Sequence, residues 1–305
     1  MSEMDLVRLN FNPQSLWALN LIIGLVMFGV ALDLKPADFR LIARAPRAVL
    51  IGMLGQFVLL PAFSFLLVLA IRPAPSIALG MLLVAACPGG NVSNFLTHYA
   101  RGNTALSVTM TALSTAAAVV MTPLNLALWG HLNPATAPIL KAVALDPLDM
   151  LVAVFLLLGL PMVAGMWVGH RWPGFVVRAH RPVKRASLLI FGLFVLGALA
   201  ANWQYFVRYV GYVVFVVFLH NGLALLTGYW AARAARLPEA DQRAVAIEVG
   251  IQNSALGLIL VFNFFDALGG MAIVTAWWGV WHLVSGLSLA TWWSRRPPRP
   301  AAVPA

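Results

Sequence analysis

Long apolar segments separated by short polar ones set the pattern of this chain. A helix needs about 20 mostly apolar residues to cross a bilayer, and segments of that length recur along most of the sequence. The pattern predicts an all-α polytopic membrane protein with about nine transmembrane helices. The predicted spans are residues 16–33, 47–71, 76–99, 103–129, 148–169, 186–203, 206–232, 243–265 and 269–293.

The third span contains a patch that breaks helices. Its sequence is Cys87-Pro88-Gly89-Gly90-Asn91-Val92-Ser93-Asn94. Proline removes a backbone donor and glycine weakens a helix, so we expect two half-helices that meet near the middle of the bilayer. Unpaired backbone groups cost several kcal/mol each in hydrocarbon, so protein, water or a bound ion must satisfy them. The alternative is a proline-kinked helix whose polar residues bond to neighbouring helices.

The eighth span contains a second patch of this kind, in which Gly250 interrupts a run that begins at Glu248 and ends at Ser254. The third and eighth spans cross the membrane in opposite directions. The chain would then consist of two five-helix repeats of inverted topology, of which the first lacks its opening helix. In that arrangement each broken span is the fourth helix of its repeat. Interrupted helices at matching positions of inverted repeats indicate the binding site of a secondary transporter.

Composition and charge narrow the class of protein. The chain has 305 residues, of which 61% are hydrophobic and 10% charged, and ordinary soluble domains do not have this composition. Its net charge of +10 does not indicate nucleic-acid binding, because the basic residues lie in short loops between apolar runs. The single cysteine, Cys87, excludes an internal disulfide.

The distribution of basic residues predicts the orientation. All but four of the 20 Lys and Arg residues fall on one side of the predicted topology, and the exceptions are Arg8, Arg72, Lys141 and Arg208. The positive-inside rule then places the N-terminus outside and the C-terminus in the cytoplasm. The first residues do not resemble a signal peptide, and we expect a bacterial inner membrane protein.

Glu248 is the acidic residue that lies inside a predicted span. A carboxylate within a membrane must be neutralised, paired or bound to a cation. The topology puts every Lys and Arg in a loop or tail, so an external cation, either a proton or Na⁺, is favoured. The alternative is that Glu248 is simply protonated, or that it bonds to His220 of the seventh span.

Oxygen-bearing side chains cluster near both breaks, and Na⁺, as a hard cation, prefers oxygen ligands. Ser107, Thr111 and Ser114 lie on one face of the fourth span, although such a stripe alone more often packs helices together. Gln56 is a single amide in the apolar second span. The other candidates are Ser93 and Asn94 after the first break, and Gln252, Asn253 and Ser254 after Glu248.

The starts of the second half-helices are candidates for an anion site. Free N–H groups and a positive dipole end suit an anionic substrate, and Asn91 and Asn253 lie just past the two breaks. His282, in the ninth span, is a further candidate, although on its own it would be read as a satisfied buried histidine. The chain has no HExxH, GxSxG or glycine-rich phosphate motif, so we expect neither an enzyme nor an organic cofactor.

Two segments of the chain resemble the two motifs of the bile acid:sodium symporter family. They are residues 87–103, continued by Leu106, Ser107 and Thr111, and residues 248–254. The likeness extends from about the first span to the ninth. It implies a core domain and a panel domain, two broken helices that cross at mid-membrane, and alternating access. The chain departs from many bacterial relatives in having nine rather than ten predicted helices, and in having Asn91 where several of them have threonine.

The resemblance also implies ligands, one position at a time. The first sodium site would comprise Ser93, Asn94, Ser107, Thr111 and Glu248. The second would comprise Gln56, Glu248 and Gln252 with the backbone carbonyls of Val249 and Ile251. Asn91, Asn253 and His282 would lie near the bound organic anion.

These observations predict three regions: an extracellular segment (1–15), a transporter domain (16–293) and a cytoplasmic tail (294–305). Within the domain, the core would cover about 76–129 and 206–293, and the panel about 16–46 and 148–203. The expected function is sodium-coupled symport of an organic anion of the bile acid, steroid conjugate, pantoate or keto acid class. Its partners would be Na⁺, the small anion and the bilayer, with no nucleic acid and no obligate protein partner. The alternatives are proton coupling and, from another class, a non-transporting membrane anion receptor.

Overall fold

The computed structural model describes residues 13–32, 45–143, 147–174 and 203–298, together with Asp5 and separate positions between 176 and 200. Within these residues the chain is helical, and the one β pairing is an isolated antiparallel bridge between Gly89 and Gln252. The helices are α1 (Pro13–Ala31), α2 (Pro46–Ile71), α3 (Pro75–Ala86), α4 (Val92–Tyr99), α5 (Thr104–Leu132), α6 (Ala137–Val143), α7 (147–171), α8 (Trp203–Ala234), α9 (Glu239–Gly250), α10 (Ser254–Phe264) and α11 (Gly269–Ser294).

Five helices of the described residues are long and apolar enough to cross a membrane: α2, α5, α7, α8 and α11. They coincide with the second, fourth, fifth, seventh and ninth predicted spans, and α1 coincides with the first. The prediction of an all-α membrane protein is therefore confirmed. The structure describes only separate positions of the sixth predicted span, 186–203, so this span lies largely outside the described residues.

The third and eighth predicted spans are each divided into two short helices. The helix α3 has 12 residues and α4 has eight, while α9 has 12 and α10 has 11. Twelve helical residues rise about 18 Å, which is well short of a hydrocarbon core of about 30 Å. The helix stops at Ala86 and resumes at Val92, so the third span is interrupted rather than merely kinked.

The helix α3 lies in the interior of the bundle. All of its residues from Ser76 to Ala86 are buried, which agrees with a sequence that is apolar on every side. It packs against α5 and α11, whereas α9 packs against α4, α5 and α8. The helices that carry the candidate ligands therefore surround the two breaks, and α1 packs mainly against α7.

A proline produces one wide π-helical turn in α2. Pro61 has no N–H group and its ring crowds the carbonyl four residues before it, and the turn Gly55–Leu59 accommodates both effects. Asn125 of α5 donates from Nδ2 to the Phe57 carbonyl at 3.1 Å. Gln56 belongs to this widened turn, which is how an amide of an apolar helix comes to lie at the break after α3. Pro161 follows a similar turn, Phe155–Gly159, in α7.

Arg243 differs from its predicted place in a loop. It lies in α9 with a side chain only 1% exposed, and it forms an ion pair with Glu239 at 2.6 Å. The guanidinium also donates to the carbonyl oxygens of Ala100 and Trp293, at 2.8 and 3.1 Å. Helix ends leave such carbonyls without intrahelical donors, and this is what allows an arginine to be buried there.

Candidate functional site

The two breaks pair with each other through their backbones. The N–H of Gly90 donates to the carbonyl of Ile251 at 2.6 Å, and the N–H of Asn253 donates to the carbonyl of Pro88 at 2.8 Å. Backbone N–H and C=O groups that have no intrahelical partner at one break are thus hydrogen-bonded to the other break, as buried backbone groups require. The interruption is an ordered crossing of two extended segments.

A side-chain amide caps the end of each first half-helix. Gln56 of α2 donates from Nε2 to the Cys87 carbonyl at 2.7 Å, just after α3. Asn221 of α8 donates from Nδ2 to the carbonyl of Gly250, the last residue of α9, at 2.8 Å. The two broken helices are therefore capped in the same way. In each, a side-chain amide of the preceding long helix donates to a backbone carbonyl that has no donor within its own helix.

The carboxylate of Glu248 lies beside the crossing among three hydroxyl groups. Ser93 donates to its Oε2 at 2.6 Å, Ser107 donates to the same oxygen at 3.1 Å, and Thr111 donates to Oε1 at 2.7 Å. Glu248 is 2% exposed, and within the described residues it has no basic partner. A buried carboxylate without a countercharge is strongly disfavoured, so a cation would be stabilised here.

Asn94 completes this cluster. Its Oδ1 lies 2.9 Å from the Ser107 hydroxyl oxygen and 3.2 Å from the Thr111 hydroxyl oxygen. Each hydroxyl has one proton, so at a given moment it donates either to Asn94 or to Glu248. The five residues assigned by resemblance to a first sodium site therefore lie in one hydrogen-bonded group, supplied by α4, α5 and α9. The hydroxyl groups can rotate, so their lone pairs are able to turn toward a cation that enters between them.

Gly89 leaves the room that the Glu248 carboxylate occupies. A Cβ atom at position 89 would clash with Oε1 of Glu248, and one at Gly90 would lie 2.9 Å from the Gln252 carbonyl oxygen. The N–H of Gly89 donates to Oγ of Ser114 at 3.3 Å, which ties the break to the hydroxyl face of α5. The two glycines thus permit a close approach of backbone to carboxylate and of backbone to backbone.

The residues proposed for a second sodium site form an adjacent group. Gln56 donates from Nε2 to Oε1 of Gln252 at 2.8 Å, and Gln252 donates from Nε2 to the Val249 carbonyl at 2.6 Å. The Ile251 carbonyl is bonded to Gly90, so both backbone oxygens have N–H partners in this structure. Oε1 of Gln56 is buried and has no partner. This acceptor without a donor is the feature of the group that best suits a cation.

The three residues expected near an organic anion lie at separate places around the crossing. Asn91 precedes α4 and is partly exposed, with no side-chain bond to the helix end. Asn253 precedes α10, and its Oδ1 accepts the N–H of Leu256 at 3.1 Å. His282 is buried in α11 with no partner for Nδ1. No hydrogen bond joins any two of the three among the described residues.

His220 does not bond to Glu248, so the proposed bond between these two residues is wrong. Its Nε2 lies 2.7 Å from Oγ of Ser64, and its ring packs edge-on against Trp278 at a centroid distance of 4.6 Å. Asn221, the next residue, reaches the crossing instead. Ser285 of α11 donates to Oδ1 of Asn221 at 2.5 Å, so the amide that caps α9 is itself held in place.

The sequence reasoning missed the pair of Asn221 and Ser285. Asn221 carries the same signal that marked Gln56, namely a single amide within an apolar span. Gly250 is the last residue of α9, so its carbonyl has no donor within the helix. Because Asn221 takes the Gly250 carbonyl, it helps to fix the directions of the neighbouring Val249 and Ile251 carbonyls.

Comparison with known proteins identifies the family. A family profile described as the sodium bile acid symporter family matches residues 20–209. The chain belongs to this family. A sodium-dependent transporter of Bacillus subtilis, described as uncharacterised, is 34% identical over 279 residues, which are 91% of this chain and 83% of that protein.

Relatives from eukaryotes give the same picture. The rabbit (Oryctolagus cuniculus) ileal sodium/bile acid cotransporter is 30% identical over 240 residues, or 78% of this chain and 67% of its own length. A probable chloroplastic sodium/metabolite cotransporter of Oryza sativa is 30% identical over 271 residues, and the match spans only 62% of its length. The family consists of sodium-coupled membrane transporters rather than enzymes, as the motifs had led us to expect.

Proposed function

We propose that this protein is a sodium-coupled symporter that moves an organic anion by alternating access. The observation that carries the proposal is the buried Glu248 carboxylate, which faces three hydroxyl groups and has no basic partner among the described residues. The helix break beside it brings hydroxyl, amide and carboxylate oxygens from three helices to one place. Those are the ligand types that a hard cation such as Na⁺ prefers.

Sodium fits the Glu248 cluster better than a proton alone. A proton carrier needs one titratable oxygen, whereas this cluster adds the amide oxygen of Asn94 and three hydroxyl oxygens, which are linked by contacts of 2.9, 3.2 and 3.3 Å. Several neutral oxygens around one carboxylate are what a monovalent cation needs to replace its water shell. The family name and the names of the relatives support sodium as the coupling ion.

A second sodium ion would bind on the other side of Glu248. Its ligands would be Gln56, Glu248, Gln252 and the carbonyls of Val249 and Ile251. Binding would require the Gln252 amide to rotate away from the Val249 carbonyl, to which it now donates at 2.6 Å. The unpartnered Oε1 of Gln56 would gain a cation. One carboxylate would then serve both ions and make their binding interdependent.

The organic anion would bind where the second half-helices begin. The helices α4 and α10 begin just after Asn91 and Asn253, and the positive ends of their dipoles, together with His282, would favour an anion there. The names of the relatives include bile acid and metabolite cotransporters. The substrate classes proposed for this chain are accordingly bile acids, steroid conjugates, pantoate and small keto acids.

The proposed topology has nine spans in two inverted repeats, the first without its opening helix. Its support is the repeated arrangement of a broken helix capped by an amide of the preceding long helix, at Gln56 and at Asn221. The core would comprise about 76–129 and 206–293. Segments 16–46 and 148–203 would form the panel, consistent with the packing of α1 on α7. The N-terminus would lie outside and the C-terminus in the cytoplasm of a bacterial inner membrane.

Uptake into proteoliposomes tests the function. Vesicles with purified protein would receive radiolabelled taurocholate, pantoate or pyruvate under an inward Na⁺ gradient, an inward proton gradient or neither. Accumulation of one anion with the Na⁺ gradient alone is the expected result. Accumulation with the proton gradient alone would contradict sodium coupling and would show that the transporter is coupled to protons. Saturable binding of an anion without accumulation under either gradient would favour the receptor.

A further inference from the structure

Four aromatic rings connect the end of α8 to the end of α11. They are Trp230 and Tyr229 of α8 and Trp293 and Trp292 of α11, in that spatial order, and we call them the aromatic ladder. Successive ring centroids are separated by 5.6, 6.3 and 6.2 Å. The outer rings are accessible, because Trp230 is 57% and Trp292 is 49% exposed.

An arginine lies over each end of the aromatic ladder. The guanidinium carbon of Arg233 is 5.7 Å from the Trp230 ring centroid, and that of Arg296 is 4.7 Å from the Trp292 centroid. Both arginines are exposed, as are Arg236 and Arg295 beside them. The same corner therefore presents aromatic faces together with several positive charges.

The nearby carboxylates are already engaged. Glu239 accepts from Arg243 at 2.6 Å, and Asp241 accepts from Nδ2 of Asn103 at 2.8 Å. The Arg243 guanidinium carbon lies 5.7 Å from the Trp293 ring centroid, and Arg243 also donates to the Arg296 carbonyl at 2.8 Å. The buried arginine thus holds the end of α11 and fixes the inner part of the ladder without neutralising the exposed arginines.

We propose that the aromatic ladder and its two flanking arginines bind the headgroup of an anionic phospholipid. Tryptophan and tyrosine favour the membrane–water interface, where a headgroup lies. Guanidinium groups bind phosphate oxygens through two parallel N–H donors, and stacking on an indole orients their plane. Basic sites between helices on the cytoplasmic side attract anionic lipids, whereas the positive choline of a zwitterionic lipid gains nothing from the arginines. This proposal depends on membrane insertion and not on the transported ion.

The chain supplies matched controls at other helix ends. Arg171 lies 5.9 Å from the ring centroid of Trp172 after α7, and Arg208 lies 5.6 Å from that of Tyr209 in α8. In each of these pairs one arginine contacts its neighbour in sequence. Each control pair has one arginine over one aromatic ring, as at either end of the aromatic ladder. Neither pair belongs to the ladder that joins α8 to α11.

Lipid titration of the detergent-purified full chain tests the site. Binding of dioleoyl-phosphatidylglycerol and of dioleoyl-phosphatidylcholine would be measured by native mass spectrometry for wild type, Arg233→Gln, Arg296→Gln, the double variant and Arg171→Gln. Because an arginine that contacts a bound anionic headgroup contributes about fivefold to its affinity, loss of both contacts in the double variant should weaken phosphatidylglycerol binding about 25-fold relative to wild type. Arg171→Gln should change the affinity less than twofold.

Two results would overturn the proposal: equal wild-type affinities for the two lipids, or an equal loss in Arg171→Gln and in the Arg233 and Arg296 variants. The single variants and a double Arg→Lys variant guard against misfolding, and each is checked by its unfolding temperature without lipid. The Lys variant keeps the charge but not the planar, two-donor geometry, so it should bind phosphatidylglycerol with intermediate affinity. Wild-type affinity in that variant would also contradict the site as described.

Discussion

Thr111 donates a hydrogen bond to Oε1 of Glu248 at 2.7 Å, across the boundary between α5 and the broken helix α9. In the proposed mechanism this hydroxyl is a sodium ligand as well as a partner of the carboxylate. Its neighbour Thr115 has no such role, because its hydroxyl donates to the Thr111 carbonyl at 2.7 Å within the same helix. A comparison of substitutions at Thr111 and at Thr115 therefore distinguishes an effect on ion binding from the general effect of losing a helical hydroxyl.

Thr111→Val should weaken sodium binding about tenfold or more, since a lost bond to a charged group is worth about 1.5–3 kcal/mol. The measurement is the Na⁺ concentration that gives half of the maximal rise in unfolding temperature. Thr115→Val should shift that concentration less than twofold. Similar shifts in both variants would mean that Thr111 acts through helix packing rather than at the ion.

Gly89→Ala should abolish sodium-dependent stabilisation, because the new methyl group would clash with the carboxylate oxygen of Glu248. The control is Gly211→Ala in α8, where a Cβ atom meets nothing within 4 Å. The control should keep the sodium response and gain up to about 1 kcal/mol from the better helix former. Wild-type sodium affinity in Gly89→Ala would show that the break moves away from Glu248 freely.

Asn221→Ala and Ser285→Ala should both weaken sodium binding, although neither residue is a proposed ligand. Each change releases the Gly250 carbonyl from its cap or frees the cap to rotate, so the nearby carbonyls of the second site lose their orientation. Losses of about 10-fold are typical for outer partners of metal ligands. Ser288→Ala is the control, since that exposed hydroxyl bonds only to the Val284 carbonyl of its own helix. Equal sodium affinities in all three variants would show that Asn221 does not orient the carbonyls of the second sodium site.

The sequence predicted which residues would meet at the crossing better than it predicted what else would hold them. Glu248, Ser93 and the hydroxyl face of α5 were identifiable because polar residues in apolar spans are costly and therefore need partners. Their grouping around Glu248 agrees with the interpretation of the motifs. Their role as sodium ligands stays a prediction.

The choice of partner was harder to predict than the presence of a polar residue. His220 and Asn221 are neighbours in α8, and the sequence offered the histidine, as an alternative to an external cation, as a partner of Glu248. Successive helical residues point about 100° apart, so His220 reaches Ser64 while Asn221 reaches the Gly250 carbonyl. Rotation of a helix within a bundle depends on all of its neighbours, and a single span does not reveal it.

Arg243 shows a second limit of the sequence pattern. A basic residue near the end of a span looks like a loop residue, and the positive-inside rule treats it as one. Its burial depends on carbonyl oxygens from residues far along the chain, Ala100 and Trp293. Such long-range partners leave no periodic signal near residue 243.

The most direct test of the central claim is the thermal stability of purified protein titrated with NaCl against choline chloride at constant ionic strength. Wild type should unfold at a higher temperature in NaCl, because a ligand at 100 times its Kd stabilises the folded state by about 2.7 kcal/mol. Glu248→Gln should lose this rise, whereas Asp149→Asn, which removes an exposed carboxylate of α7, should keep it. An absent sodium effect in wild type, or an undiminished one in Glu248→Gln, would contradict a sodium site at Glu248.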